Sequence, residues 1–286
     1  MKGLRSPGTW ALAALAGLAL ATALAMAAPF GWPFELFAHF RAQYAALAAL
    51  LAVILFLLGR RNSAMIAALL VIFHALPAMQ KTVADEPVEA CRGPEVTVVT
   101  ANLQYSNLDT EAFRAWLAAN PADLVVLQEV TSGWYEALQA IEGYPHREFL
   151  VREDPYGLGV LSRRPLDSVA WQDFAGDGLP SVSGSVAVDG RSLRFLGLHT
   201  HWPVLPDLAR QRDHSLDRAA AFIRSGQGPA VALGDLNLTA YSPVFGRFLG
   251  SAGLEDVMHG AHWRPTWMAG FWPLALRIDH VLVTAG

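Results

Sequence analysis

The side chains best suited to chemistry follow short apolar runs in the second part of this 286-residue chain. Carboxylates, amides and imidazoles stand where such runs end, although a buried strand has no reason of its own to end in an acid. Loops at strand ends commonly form the site of an α/β protein. The sequence therefore predicts one cluster, made by Asn102 in TANL, Glu129 in VVLQEV, His199 and His201 in LHTHWP, Asp235 and Asn237 in LGDLNL, and Asp279 in RIDHVLV.

These residue types favour metal-assisted hydrolysis. Carboxylate and amide oxygens are the ligands that Mg²⁺ or Mn²⁺ prefers, whereas two histidines without a thiolate make a weak zinc site. Cys91 is the only cysteine, which excludes a cysteine-rich zinc site and an intrachain disulfide. A divalent metal can neutralise charge that develops on oxygen while a carboxylate positions the attacking water.

Each residue taken alone has a second interpretation. Glu129 could be an acid in the N-cap region of the following helix, and Asp235 with Asn237 could form an Asx turn. His199 and His201 stand two residues apart and so share one face of a strand, where paired histidines commonly pack or bond locally. Only the joint order of the motifs favours a functional site.

The elements that must position these residues alternate between strand and helix. Short β-branched or apolar runs predict strands, and apolar residues spaced by three and four predict helices. We expect helices over 110–119, 134–141, 206–223 and 243–251, and strands over 95–102, 123–128, 148–152, 158–162, 183–188, 192–199, 230–233 and 276–283. This order indicates an α/β or α+β body with mixed strand pairing.

The order of the motifs resembles the endonuclease/exonuclease/phosphatase superfamily of metal-dependent phosphodiesterases. The matching segments run in family order over residues 96–283: TANLQYSN, DLVVLQEV, LHTHWP, LGDLNLTAYSPVF, the RPTW of WRPTW, and RIDHVLV. The resemblance implies a four-layer α/β sandwich over 96–286, with two packed β-sheets flanked by helices. It also implies hydrolysis of a phosphodiester or phosphomonoester, with a lipid head group, a small phosphoester or nucleic acid as substrate.

The resemblance implies a role for each matching residue. Glu129 is expected to be the principal metal ligand, with Asn102 beside it. Asp235 is expected to align or deprotonate the attacking water, and Asn237 to orient that water or the phosphate. Gln104 stands where some members have an acid that supports a second metal, so a single metal is favoured.

The histidines leave two questions open. One of His199 and His201 is implied to donate to a phosphate oxygen; His201 fits the family's Thr-His pattern, but an ungapped alignment selects His199. Asp279 is implied to orient the histidine of a C-terminal Ser-Asp-His segment, which the sequence to Gly286 does not contain. His280 faces away from Asp279 and is no replacement. We therefore expect a truncated sequence or, alternatively, a catalytically impaired, membrane-anchored phosphoester-binding module.

Residues 1–81 differ from the body and predict a membrane anchor. Three runs carry no charged residue: Trp10–Phe30, Gln43–Gly59 and Asn62–Gln80. A transmembrane helix needs about 17–25 such residues, so the runs predict three transmembrane helices, although the first alone could be a signal peptide. A polar linker is expected over 82–95, and this arrangement is similar to bacterial members of the superfamily.

The charges predict the topology and constrain the partners. Lys2 and Arg5 precede the first run, and Arg60 with Arg61 separates the other two, so both pairs are expected in the cytoplasm and the body on the extracytoplasmic side. Residues 1–81 hold six of the 21 basic and one of the 25 acidic residues, which leaves 15 and 24 in the rest, a net charge of −9. This balance disfavours broad capture of nucleic acid unless arginines cluster.

Overall fold

The computed structural model describes residues 6–83, 95–258 and 264–284. Lys2, Arg5, Cys91 and most of the linker predicted over 82–95 lie outside the described residues. The chain forms two compact units: the first takes in 1–89, 239–246 and 259–277, and the second takes in the rest. Two later stretches of the chain therefore belong to the unit that contains the N-terminal helices.

The first unit is built on apolar helices. Its helices are α1 (Pro7–Met26), the four-residue α2 (Glu35–Ala38), α3 (Arg41–Leu57) and α4 (Arg61–Val83). The Ser6 side chain caps α1 by accepting from the Thr9 amide, and Pro7 occupies the first turn, where a missing N–H costs nothing. Inside the bundle, the Thr22 hydroxyl of α1 is hydrogen-bonded to His74 Nε2 of α4 at 2.9 Å, which satisfies a buried polar pair.

Among the described residues, α1 is the one helix long and apolar enough to cross a membrane by length and composition. A signal sequence or a core helix passes the same test. The α3 helix has 17 residues, and the apolar part of α4 ends at Pro77, so both stand at the short limit of roughly 17–25 residues. The three-helix anchor is thus supported only in its first helix, and crossing by α3 and α4 stays a prediction.

The second unit contains two β-sheets. The smaller sheet consists of β1 (Val98–Asn102), β2 (Leu124–Gln128), β3 (His146–Leu150) and β4 (Leu158–Ser162), and its order is β1-β2-β4-β3. The larger sheet consists of β5 (Leu166–Gln172), β6 (Ser181–Val188), β7 (Arg191–His199), β8 (Ala230–Asp235), β9 (Leu254–Asp256) and β10 (Asp279–Thr284), and its order is β5-β6-β7-β8-β10-β9. The pairs β1–β2 and β7–β8 are parallel, and the remaining pairs are antiparallel.

Four more helices follow in this part of the chain. They are α5 (Glu111–Ala119), α6 (Ser132–Gln139), α7 (Pro206–Ser225) and α8 (Pro243–Ala252). The last of them, α8, extends from the first unit into the second. Because β2 is buried on both faces, its apolar run is continuous: Val125 and Leu127 pack with α5 and α6, while Leu124 and Val126 face the larger sheet. Phe195 of the larger sheet lies in the same buried layer as Leu124 and Val126. The predicted pair of mixed sheets flanked by helices is confirmed.

Strand prediction failed where no apolar run marks the strand. β5 was not predicted because its sequence, LDSVAWQ, is mostly exposed at an edge of the larger sheet. β9, at the opposite edge, has only three residues. The last strand begins at Asp279 rather than at Leu276, since Leu276 bridges to Trp267 in the first unit.

Close approach between the sheets generates a packing prediction at Gly197 of β7. A Cβ there would lie 2.6 Å from Val126 Cγ1 and 2.7 Å from Val182 Cγ1. We expect Gly197→Ala to lower the free energy of unfolding by about 1–3 kcal/mol through overpacking, and Val126→Ala to restore part of it. Thermal unfolding in detergent measures both effects. Gly133→Ala, in α6 with open space around it, is the matched control, and an equal loss there would contradict this explanation.

Candidate active site

The centre of the candidate site is the amide of Asn102, the last residue of β1. Asn102 Nδ2 donates to Glu129 Oε1 at 2.8 Å and to Asp235 Oδ2 at 3.1 Å. Glu129 directly follows β2, which runs parallel to β1, so both side chains arrive at the same edge of the smaller sheet. Asp235 ends β8 of the larger sheet. The structure therefore brings together three of the predicted residues where the two sheets end.

Unusual backbone conformations hold the acidic and amide groups in place. Glu129 and Asn237 adopt the left-handed region, with φ of 64° and 49°, which is uncommon for residues other than glycine and is concentrated at functional sites. The Tyr105 amide donates to Glu129 Oε2 at 2.7 Å. The Asn237 amide donates to Asp235 Oδ1 at 2.8 Å, and its side chain donates to the Thr200 carbonyl at 2.8 Å. The Asx turn considered as an alternative is thus present within the cluster itself.

Asp235 is a buried carboxylate whose ionisation is costly. Burial raises its pKa to about 6, the nearby Glu129 carboxylate adds to this, and the donors Asn237 and Asn102 oppose it. A group with a pKa near neutrality is suited to accept a proton from water at physiological pH.

The last strand brings Asp279 to the same end of the larger sheet. Asp279 stands opposite Asp235 in the antiparallel ladder, and residues directly opposite each other project from the same face. His280 lies on the other face, where its Nε2 is 2.8 Å from the Leu238 carbonyl and its Nδ1 is 3.8 Å from Asp256. The alternation expected for these two residues is present.

Both histidines lie beside Tyr156, but their environments differ. The Tyr156 ring centroid is 5.7 Å from that of His199 and 5.5 Å from that of His201. His199 Nε2 lies 4.0 Å from Glu129 Oε1, and burial lowers the His199 pKa to about 4 against the opposing effect of that carboxylate, so the ring is neutral at pH 7. His201 Nε2 is 2.8 Å from Asp177 Oδ2, and its Nδ1 is 3.1 Å from the Tyr156 hydroxyl.

Tyr156 and Asp177 were missed by the sequence analysis. Asp177 lies in the turn DFAGDG, where the Asp173 carboxylate accepts from the amides of Gly176, Asp177 and Gly178. Gly176 and Gly178 indicate a tight turn in the sequence, and both adopt a positive φ in the structure. No pattern in the sequence connects that turn with His201, which follows 24 residues later.

The donor set suits a hard divalent cation. Glu129 and Asn102 supply a carboxylate and an amide beside a second carboxylate, Asp235, whose raised pKa reports an electrostatic cost that a cation would relieve. In the described part of the chain no three His, Cys, Asp or Glu side chains form a metal-binding group. Mg²⁺ usually keeps several waters and uses one or two carboxylates, and Glu129 with Asp235 would supply them.

Six arginines of the body could attract nucleic acid if they clustered: Arg147, Arg152, Arg163, Arg164, Arg210 and Arg212. Five of these side chains have partners within the fold. Arg147 donates to backbone carbonyls at the end of α6, including those of Leu138 and Gln139. Four more form ion pairs: Arg152 with Asp154, Arg164 with Asp123, Arg210 with Asp207, and Arg212 with Asp213. Their charges are therefore largely compensated within the fold.

Comparison with known proteins gives consistent matches. A family model described as "Endonuclease/Exonuclease/phosphatase family" matches residues 99–286. TDP2 of D. rerio, complexed with a single-strand DNA product, is 19% identical in sequence, with a TM-score of 0.55 over 67% of this chain and 84% of that chain. The 3′ phosphatase NExo from Neisseria is 20% identical in sequence, with a TM-score of 0.54 over 66% of this chain and 87% of that chain. Sphingomyelinase C from Streptomyces griseocarneus is 18% identical in sequence, with a TM-score of 0.51 over 67% of this chain and 84% of that chain. No curated protein sequence matches the chain significantly.

Burial of Asp235 predicts a pH-dependent stability effect. Its pKa is about 6 in the fold against an ordinary 3.8, so the fold disfavours the ionised form and loses stability as pH rises from about 4 to 6. The full difference corresponds to about 3 kcal/mol. In EDTA at pH 7.5 we expect Asp235→Asn to raise Tm by roughly 5 °C, with little effect near pH 4. Asp167→Asn, at an exposed carboxyl, is the control. A lower Tm for Asp235→Asn at pH 7.5 would contradict the interpretation.

Proposed function

Because the chain belongs to the endonuclease/exonuclease/phosphatase family, we propose that it is a membrane-anchored phosphoesterase. It hydrolyses a phosphodiester or phosphomonoester by attack of water, with Mg²⁺ or Mn²⁺ as cofactor. The observation that carries the proposal is that the Asn102 amide donates hydrogen bonds to both Glu129 and Asp235. Glu129 follows a strand of the smaller sheet, and Asp235 ends a strand of the larger sheet. Proteins with the same fold include TDP2 bound to a DNA product, a 3′ phosphatase bound to a DNA hairpin and a sphingomyelinase, which is compatible with this reaction class.

The proposed roles follow from the surroundings of each group. Glu129 and Asn102 would hold the divalent ion, which supplies charge neutralisation at the phosphate oxygens. Asp235, with its raised pKa, accepts a proton from the attacking water and orients it. Asn237, fixed by its bond to the Thr200 carbonyl, orients the water or the phosphate. Asp279, opposite Asp235 in the ladder, lines the same end of the sheet.

Of the two histidines, His199 is the better-placed donor to a phosphate oxygen. Its Nε2 lies 4.0 Å from the proposed metal ligand Glu129, and a neutral imidazole can donate one hydrogen bond. Both ring nitrogens of His201 already have partners, Asp177 and Tyr156. His201 in this proposal keeps Tyr156 in place beside His199.

The proposed substrate is a lipid head group or a small phosphoester rather than a long polyanion. The ion-paired arginines support this choice, because little uncompensated positive charge remains on them to attract nucleic acid. Membrane anchoring is supported by large apolar side chains that stay exposed on α3 and α4, among them Val53, Phe56, Leu69 and Ile72. Exposed apolar surface of this kind is typical of membrane contact.

Loss of either carboxylate should remove hydrolysis. We expect the full chain in detergent to hydrolyse bis-p-nitrophenyl phosphate or p-nitrophenyl phosphate only with Mg²⁺ or Mn²⁺, and Glu129→Gln and Asp235→Asn each to lower kcat/KM by at least about 100-fold. Glu148→Gln, an exposed acid in β3, is the matched control. If Asp235→Asn and Glu148→Gln retain equal activity, the site assignment is wrong; metal-dependent binding without turnover would instead favour the non-catalytic binding module.

The proposed topology places the catalytic unit outside the cytoplasm. The reason is the position of Arg60 and Arg61 between α3 and α4. Alkaline phosphatase fused after residue 90 should be active, and a cytoplasmic reporter at the same position inactive. The reverse pattern would refute the topology.

A further inference from the structure

We propose that the stretch that leads from the end of α1 into the first turn of α3, residues 27–43, lies on the same side of the membrane as the catalytic unit and holds the loop that follows Asn237. Glu35 and His39 are the positioning residues of this contact. The inference rests on the proposed membrane phosphoesterase, and it makes the N-terminal helices part of the enzyme rather than only its anchor.

The first contact is between Glu35 of α2 and Ser242. The Ser242 hydroxyl donates to Glu35 Oε1, and both residues are buried. Ser242 Oγ also accepts from the Val244 amide at 3.0 Å, in the first turn of α8. A buried carboxylate is costly without a partner, so Glu35 and Ser242 constrain each other, and with them the start of α8.

The second contact is between His39 and Thr239. His39 Nδ1 is 2.9 Å from the Thr239 hydroxyl and accepts from the Thr239 amide at 3.4 Å. Nearby, the side chain of Gln43 donates to the carbonyl of Ala275 at 2.7 Å. All of these residues belong to the first unit. One short segment of the chain thus binds two separate later stretches.

The position of Thr239 gives this contact its functional meaning. Thr239 follows Asn237 by two residues, and Asn237 is fixed at its other side by Asp235 and the Thr200 carbonyl. The left-handed conformation of Asn237 must be maintained by its surroundings. Holding Thr239 and Ser242 limits how far the chain can relax there, and small displacements of catalytic groups have large effects on rate.

The same contacts constrain the topology. Glu35 and His39 lie between the end of α1 and the start of α3, and they contact residues 239–242 directly. The α1–α3 segment and that loop must therefore be on one side of the membrane. The turn at Arg60 and Arg61 lies at the far end of α3, so α3 and α4 must cross the membrane together or not at all.

Kinetics of the full chain in detergent test the positioning role. We expect His39→Ala and Glu35→Ala to lower kcat by about 10- to 100-fold with little change in KM. His39→Asn and Glu35→Gln keep a bonding atom and should restore most of the activity. Thr22→Val breaks the Thr22–His74 bond inside the helices and should lower Tm without lowering kcat. Wild-type kcat in both alanine variants would overturn the positioning role.

Cysteine labelling tests the placement without any need for activity. In a Cys91→Ser background, Phe30→Cys and Leu108→Cys, at exposed positions of the α1–α3 segment and of the second unit, should react with an impermeant maleimide from the same side of the membrane, and Arg60→Cys from the other. Labelling of Phe30→Cys and Leu108→Cys from opposite sides would overturn the proposal. If the wild type proves inactive, the proposed function fails, and the contact is then tested by thermal unfolding of His39→Ala, Thr239→Val and the double variant. Stability losses that do not add support the His39–Thr239 contact, and losses that simply add would overturn it.

Discussion

The whole candidate site depends on one amide that separates two carboxylates. Glu129 and Asp235 come from different sheets, and two negatively charged carboxylates at close range repel each other. Asn102 Nδ2 donates to both, at 2.8 and 3.1 Å, and so makes their proximity tolerable. An aspartate at position 102 would add a third negative charge, and an aliphatic residue would leave both acceptors unpartnered. The rest of the second unit can be understood as the framework that delivers these three side chains to one point.

That framework is rigid because the sheets pack closely. β2 is buried on both faces, and Gly197 lets β7 approach Val126 without a side chain between them. Within each parallel pair, β1–β2 and β7–β8, the two strands end at the same end of their sheet. Asn102, Glu129 and Asp235 therefore stand at or directly after strand ends, and no long loop is required to bring them together. What the loops add is strain: two left-handed residues and a buried acid oppose stability at the place where chemistry is proposed, as is common at functional sites.

The division of the chain into units does not follow the division of the sequence. Composition separates an apolar head from an acidic body near residue 82, yet stretches 239–246 and 259–277 belong with the helices of the head. Buried polar groups explain this membership, because Glu35, His39 and Gln43 find their partners in those later stretches. Hydrophobic patterning identifies helices, but it contains no information about which distant polar group will satisfy another.

By itself the sequence determined the buried strands and the family, and it indicated which polar residues are candidates for the site. Runs such as DLVVLQ are apolar because both faces of β2 are covered, and Asn102, Glu129, Asp235 and Asn237 follow such runs directly. Tertiary structure decided what periodicity does not encode. The edge strands β5 and β9 have no apolar signature, and Asp177 meets His201 only because a glycine-rich turn folds back onto it. Local pattern reports local burial, whereas a hydrogen bond between remote residues exists only once packing has brought both of them to the same place.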